Sequence, residues 1–182
     1  MKVSVLLMTL MLSGCGFLSR TKSTFYSLET TAFEGPRATA TAVPIAVEAI
    51  ELPPGLDRRE IAVRAADQKL EIRETHQWSG PLEDMVIHTL AFNLARRLPE
   101  GMVVLPGQAK PAGSVRPLYI TFEELAAGPE NIFVLDARWK WGAGGPAAHE
   151  RIEVPITSLE SGEVVRAMSA ALATLAERIA VD

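Results

Sequence analysis

Ile132-Phe133-Val134-Leu135-Asp136-Ala137-Arg138-Trp139-Lys140-Trp141 alternates almost without fault. Phe133, Leu135, Ala137, Trp139 and Trp141 share one parity, and Val134, Asp136, Arg138 and Lys140 the other. Successive side chains on a strand point to opposite faces, so this period predicts a strand with one buried and one wet face. The stretches on either side repeat the pattern. Val115 to Leu125 puts Leu118, Ile120 and Phe122 on one face, and His149 to Ser158 does the same with Ile152, Val154 and Ile156. The linkers Ala127-Gly128-Pro129-Glu130-Asn131 and Gly142-Ala143-Gly144-Gly145-Pro146 are rich in turn residues. Together these segments predict an antiparallel meander. Pro155 has no N–H for a ladder, which puts its strand at an edge or a bulge.

Outward from the meander, two stretches carry helical spacing instead. Pro81 opens the first, at the first helical position. Leu82, Met85, Val86, Thr89, Leu90, Asn93 and Leu94 form its stripe. Glu83 near its start and Arg96-Arg97 at its end suit the helix dipole, and Pro99 and Gly101 stop it. The second runs from Gly162 to Ala180 with Val165, Met168, Ala171, Leu172, Leu175 and Ile179 inward. Shorter strands are expected at Phe25-Tyr26-Ser27-Leu28, at Pro44 to Ile50 with Ile45, Val47 and Ala49 on one face, and at Met102 to Leu105. Ile61 to Arg64 and Lys69 to Arg73 read as a short hairpin. The fold class is therefore α+β: a mostly antiparallel sheet with two helices on its apolar face.

The composition bounds the function. In 182 residues, 48% are hydrophobic and 22% charged, which suits one packed domain. Lys plus Arg number 18 against 22 Asp plus Glu, a net charge of −4, so a phosphate-facing basic surface is not expected and nucleic acid is not an expected partner. One Cys excludes a disulfide within the chain. His76, His88 and His149 lack ligand spacing, and His88 lies off its helix stripe, where solvent exposure is expected. No nucleophile elbow, HExxH or phosphate-binding glycine loop occurs. Glu123-Glu124 reads as a solvated strand end. The expectation is no enzyme, no metal and no catalytic residue.

The beginning of the chain is an address. Met1-Lys2 is followed by the apolar run Val3 to Leu12, too short to span a bilayer, and then Ser13-Gly14-Cys15. Leu12-Ser13-Gly14-Cys15 resembles the bacterial lipobox. In lipoproteins that carry it, the Cys thiol receives a diacylglycerol, the preceding peptide is removed and the new N-terminus is acylated. Residues 1–14 are thus a signal peptide, 15–23 a lipidated tether and 24–182 a single periplasmic domain. One acyl chain holds a protein only marginally, whereas two or three on Cys15 hold it durably. Gly16 follows the Cys instead of Asp, which favours the outer membrane, with the periplasmic face of the inner membrane as the alternative. The eight residues from Gly16 to Ser23 reach at most about 29 Å, so the domain stays against the membrane.

These features resemble the paraquat-inducible protein C-like family of ABC-type transport auxiliary lipoproteins. The resemblance rests on Cys15 followed by Phe25-Tyr26-Ser27-Leu28, on Leu52-Pro53-Pro54-Gly55-Leu56-Asp57-Arg58-Arg59-Glu60-Ile61-Ala62-Val63-Arg64, on Trp78-Ser79-Gly80-Pro81-Leu82, on the strand ending at Trp139 and Trp141, and on the Ala/Leu-rich last helix. It implies a non-catalytic auxiliary of an MCE-domain protein with an ABC permease and ATPase. Such a system moves lipids or other hydrophobic molecules between membranes and supports envelope integrity. It also implies assembly into a homo-oligomeric ring, with no cofactor beyond the lipid on Cys15.

The candidate partner surface is Leu56, Asp57, Arg58, Arg59 and Trp78, because Arg and Trp are enriched at interface hot spots. A purely local role is the alternative, with Asp57 paired to an Arg and Trp78 stapling the helix start to the sheet. Two rival functions stand beside the transport reading. One is an assembly or plug partner of another outer-membrane complex; the other is a lipid-tethered periplasmic hydrolase.

Overall fold

The computed structural model describes residues 22–38, 43–67 and 69–182. The expected signal peptide, the lipid-bearing Cys15 and most of the tether lie outside the described residues. In chain order the elements are β1 (Thr24–Tyr26), β2 (Ile45–Glu51), β3 (Glu60–Arg64), β4 (Leu70–Trp78), α1 (Leu82–Arg97), β5 (Arg116–Ala127), β6 (Ile132–Trp141), β7 (Ala147–Pro155) and α2 (Ser161–Ala180).

The alternating stretch is β6, and Phe133, Leu135 and Ala137 are fully buried with Trp139 nearly so. It pairs antiparallel with β5 on one side and β7 on the other. Asn131 takes a left-handed backbone conformation, φ 56°, at the β5–β6 turn, and Gly142 does so, φ 69°, at the β6–β7 turn. A Cβ on Gly145 would lie 2.7 Å from the Trp141 carbonyl oxygen, so that hairpin needs glycine there. Pro155 ends β7, an edge strand, where its missing N–H breaks no ladder.

The strands form two sheets instead of one. The larger has the order β2-β5-β6-β7, and β2 runs parallel to β5. The smaller has the order β1-β4-β3, with β1 parallel to β4 and β3 antiparallel to it. The expected hairpin is there, and its second strand continues to Trp78.

Three expectations change in detail. A register shift between Val47 and Ala49 turns Ile50 inward and leaves Ala49 exposed, because a bulge reverses the face of every residue beyond it. Met102 to Leu105 makes only a parallel bridge from Val103 to Ile45, since Pro106 has no N–H to extend it. Pro81 stands one place before α1 as its cap, with ψ 130° in the extended region.

α2 packs on β5, β6 and β7, and α1 packs on α2 and beside β2. Val165, Met168, Ala171, Leu172, Leu175 and Ile179 are all buried, as their spacing demands. One apolar core joins both sheets and both helices. Burial of this kind is worth roughly 25 cal/mol per Å² of apolar surface, so it dominates the stability of the larger sheet. No helix among the described residues is long and apolar enough to cross a membrane.

Candidate docking surface

The proline-rich segment before β3 turns sharply. The Leu56 N–H donates to the Pro53 carbonyl at 3.2 Å and the Arg58 N–H to the Leu56 carbonyl at 2.8 Å. Gly55 has φ 88°, a left-handed conformation that glycine enters without steric cost. The Arg58 Nε donates to the Gly55 carbonyl at 2.7 Å and folds that side chain back on the turn. Leu56 points inward and is buried. Asp57 and Arg59 point outward and are exposed, and neither has an ion-pair partner among the described residues. The local alternative in which Asp57 pairs an Arg is therefore absent there.

Trp78 sits directly beneath this turn. Its N–H donates to the Arg59 carbonyl at 2.7 Å, and the next N–H, from Ser79, donates to the Tyr26 carbonyl at 2.8 Å. The turn, β1 and the approach to α1 thus meet at one residue. The indole itself is 6% exposed and belongs to the core. The structure brings the five candidate residues together but divides their roles. Leu56 and Trp78 are the footing, Arg58 braces the turn, and Asp57 and Arg59 are what a neighbour would meet.

The wet face of the larger sheet carries a second arrangement. Glu124 accepts from Arg64 of β3 at 2.6 Å and from Arg151 of β7 at 3.0 Å. Arg151 also reaches Asp136 at 3.1 Å, and His149 Nε2 lies 2.7 Å from the other Asp136 oxygen. Burial works against ionisation of Asp136, but hydrogen bonds from His149 and Arg151 outweigh it and hold its carboxyl below the usual range. Hydrogen bonds that Arg151 donates to Glu124, Asp136 and Glu153 raise its pKa above the usual range. The expectation for Glu123-Glu124 is corrected: they lie mid-strand at a register shift, and the Glu124 side chain is only 17% exposed. Donor atoms of Glu123, Asp136 and His149 lie within 4.8 Å of one another, a grouping the sequence spacing concealed. The Arg138 Nε stands 2.5 Å from Glu123 and Arg151 stands on Asp136, so these carboxylates already hold cationic partners. The arrangement works as a clamp, joining β3 of one sheet to β5, β6 and β7 of the other.

The remaining histidines differ in setting. His88 is exposed, as its place off the stripe predicts, with its ring 4.4 Å from that of Phe92 between centroids. His76 Nδ1 lies 2.7 Å from the Ser161 hydroxyl and 3.2 Å from that of Tyr26. Sequence reasoning missed one further feature. Arg97, which the dipole reading places at the end of α1, is buried at 4% exposure. The signal was there, because Arg97 follows Asn93 at the helical spacing of the buried stripe.

Fold and surface together define a small α+β domain that presents a braced, charged turn. The chain belongs to the family of ABC-type transport auxiliary lipoprotein components, whose model matches residues 26–180. It is the same family to which the turn and Trp78 motifs pointed. Among solved structures, an uncharacterised protein aligns over 87% of this chain and 97% of its own with a TM-score of 0.69 at 19% identity. A protein from Xanthomonas campestris, assigned to the DUF330 family, aligns over 87% and 93% with a TM-score of 0.66 at 14% identity. At such identities the likeness concerns the fold. No curated protein matches the chain.

Proposed function

We propose that this auxiliary lipoprotein is a non-catalytic docking subunit of an MCE-type intermembrane lipid transport system, held by lipid on Cys15 at the periplasmic face of the outer membrane. The observation that carries the reading is the match of the auxiliary lipoprotein family across almost the whole folded domain. The lipobox-like run ending at Cys15 supports the anchor, and Gly16 supports the outer membrane. The exposed Asp57 and Arg59, on a turn braced by Trp78, support a contact surface for the MCE partner, with the ABC permease and ATPase further along the same assembly. Self-assembly into a ring belongs to the same reading.

Charge reversal of the exposed Asp57 and Arg59, which leaves the Arg58 brace in place, tests the surface. Co-purification from detergent-solubilised envelopes is expected to lose the MCE protein while the thermal transition stays in place. Retention of the partner by the reversed turn overturns the contact, and recovery of a β-barrel protein in its place overturns the transport reading. Metabolic labelling with palmitate tests the anchor: label on the native chain and none on Cys15→Ala is the expected outcome, and an unlabelled native chain ends it. Sedimentation of the solubilised chain reads ring assembly directly.

A further inference from the structure

Arg97 is the most conspicuous side chain that docking leaves without a task. The residue is 4% exposed and lies at the C-terminal end of α1. One nitrogen, Nη1, donates to the Asn93 carbonyl at 3.0 Å, while Nε has no hydrogen-bond partner. No carboxylate among the described residues lies within ion-pair distance of it. Removing a charge from water costs several kcal/mol unless an opposite charge and hydrogen bonds offset it, so a guanidinium buried in this way calls for an oxyanion. The Phe33 ring covers its face, with the guanidinium carbon 4.6 Å from the centroid. The ring tip lies over Gly35, where a Cβ would stand 2.7 Å from it and push the ring aside.

Beside this stack is a cavity of about 200 Å³ between the 33–38 loop and the last turn of α2. Phe33, Pro36, Ala180 and Val181 make its walls largely apolar, and Arg97 and Glu177 are its charged residues. Burial draws the Arg97 guanidinium below its usual range, and the charge of Glu177 opposes that shift without an ion pair between them. A purely anionic ligand would meet Arg97 favourably and Glu177 unfavourably. A head carrying both charges satisfies the two residues at once. The volume takes such a head and a few carbons but not two acyl chains, which would leave past Val181, itself 76% exposed.

We propose that this cavity binds the head of a zwitterionic phospholipid, with the phosphate on Arg97 and the ammonium toward Glu177. The site stands on its own geometry, independent of the transport reading, and its test contains no partner protein, so either can fail alone. Native mass spectrometry of the full chain in a nonionic detergent is titrated with dihexanoyl phosphatidylethanolamine, dihexanoyl phosphatidylglycerol or phosphoethanolamine. One phosphatidylethanolamine per chain is expected, bound about tenfold more tightly than phosphatidylglycerol. Arg97→Gln is expected to weaken it about tenfold or more, the scale of a lost charged hydrogen bond. Glu177→Gln changes an exposed residue that the fold does not need, and it should abolish the preference for the zwitterion. The absence of a saturable single adduct overturns the site. Undiminished binding by Arg97→Gln, or an unchanged preference in Glu177→Gln, overturns the assigned contacts; should Arg97→Gln not fold, the Glu177→Gln result decides alone. Phosphoethanolamine binding as tightly as the lipid overturns the lipid in favour of a free phosphate ester.

Discussion

The two sheets share one apolar core but differ in how much of each lies inside it and in what else holds it. In the larger one, Phe133, Leu135 and Ala137 of β6 have no exposed surface, and the meander pairs strands joined by short turns. In the smaller one, Leu70 and Ile72 of β4 remain 39% and 42% exposed, and β1 reaches β4 across a long stretch of chain. Its links to the rest include the hydroxyl and imidazole contacts of Tyr26, His76 and Ser161 and the Arg64–Glu124 pair. The larger sheet is a hydrophobic structure that closes locally. The smaller one enters the same core through Ile61, Val63 and Trp78, is pinned in addition by polar contacts, and carries the charged turn.

Four experiments test that division. Phe133→Ala empties the centre of the larger sheet, and a loss of about 3–5 kcal/mol in urea unfolding is expected, enough to threaten the fold. Loss of less than about 1 kcal/mol would mean that this layer is not the main source of stability. Asp136→Asn removes a carboxylate whose folded-state ionisation is favoured, at about 1–3 kcal/mol near neutral pH. Because that carboxyl is held below its ordinary range, its stabilisation is full above about pH 4 and disappears as pH falls through the folded-state value. The stability gap between pH 7 and pH 3 should therefore narrow in the variant, and an unchanged gap in urea midpoints refutes the assignment. Ser161→Ala costs about 1 kcal/mol through the lost contact with His76. Its signature is local: amide exchange should quicken in β1 and β4 and stay slow in β6, and uniform quickening would erase the distinction between the sheets. The smallest effect belongs to the cross-sheet pair. A double-mutant cycle of Arg64→Ala with Glu124→Gln should give a coupling of about 0.2–1 kcal/mol that salt diminishes, since the arginine is 44% exposed.

The same contrast explains which parts could be read from residues. The meander, both helices, the edge position of Pro155 and the β3–β4 hairpin were legible, because each is announced by periodicity or turn chemistry within a short window. The register shift that exposes Ala49 was not, since bulges leave no mark on an alternating pattern as short as Ile45 to Ile50. The turn and Trp78 were recognisable as a unit by motif, but not that the indole faces inward while Asp57 and Arg59 face out. Likewise, nothing in the spacing of Glu124, Asp136, His149 and Arg151 predicted that Arg64 would join them from another sheet.

By itself the sequence determined which faces of the long strands and helices are apolar, because that information lies in the order of neighbouring residues and burial must follow it. Only the tertiary structure decided that the strands divide into two sheets, that β1 and β2 run parallel to β4 and β5, and that Arg97 is enclosed. Those outcomes depend on how distant segments share one core. Their pairing is selected by the shape and charge of surfaces that exist only once the other elements are in place.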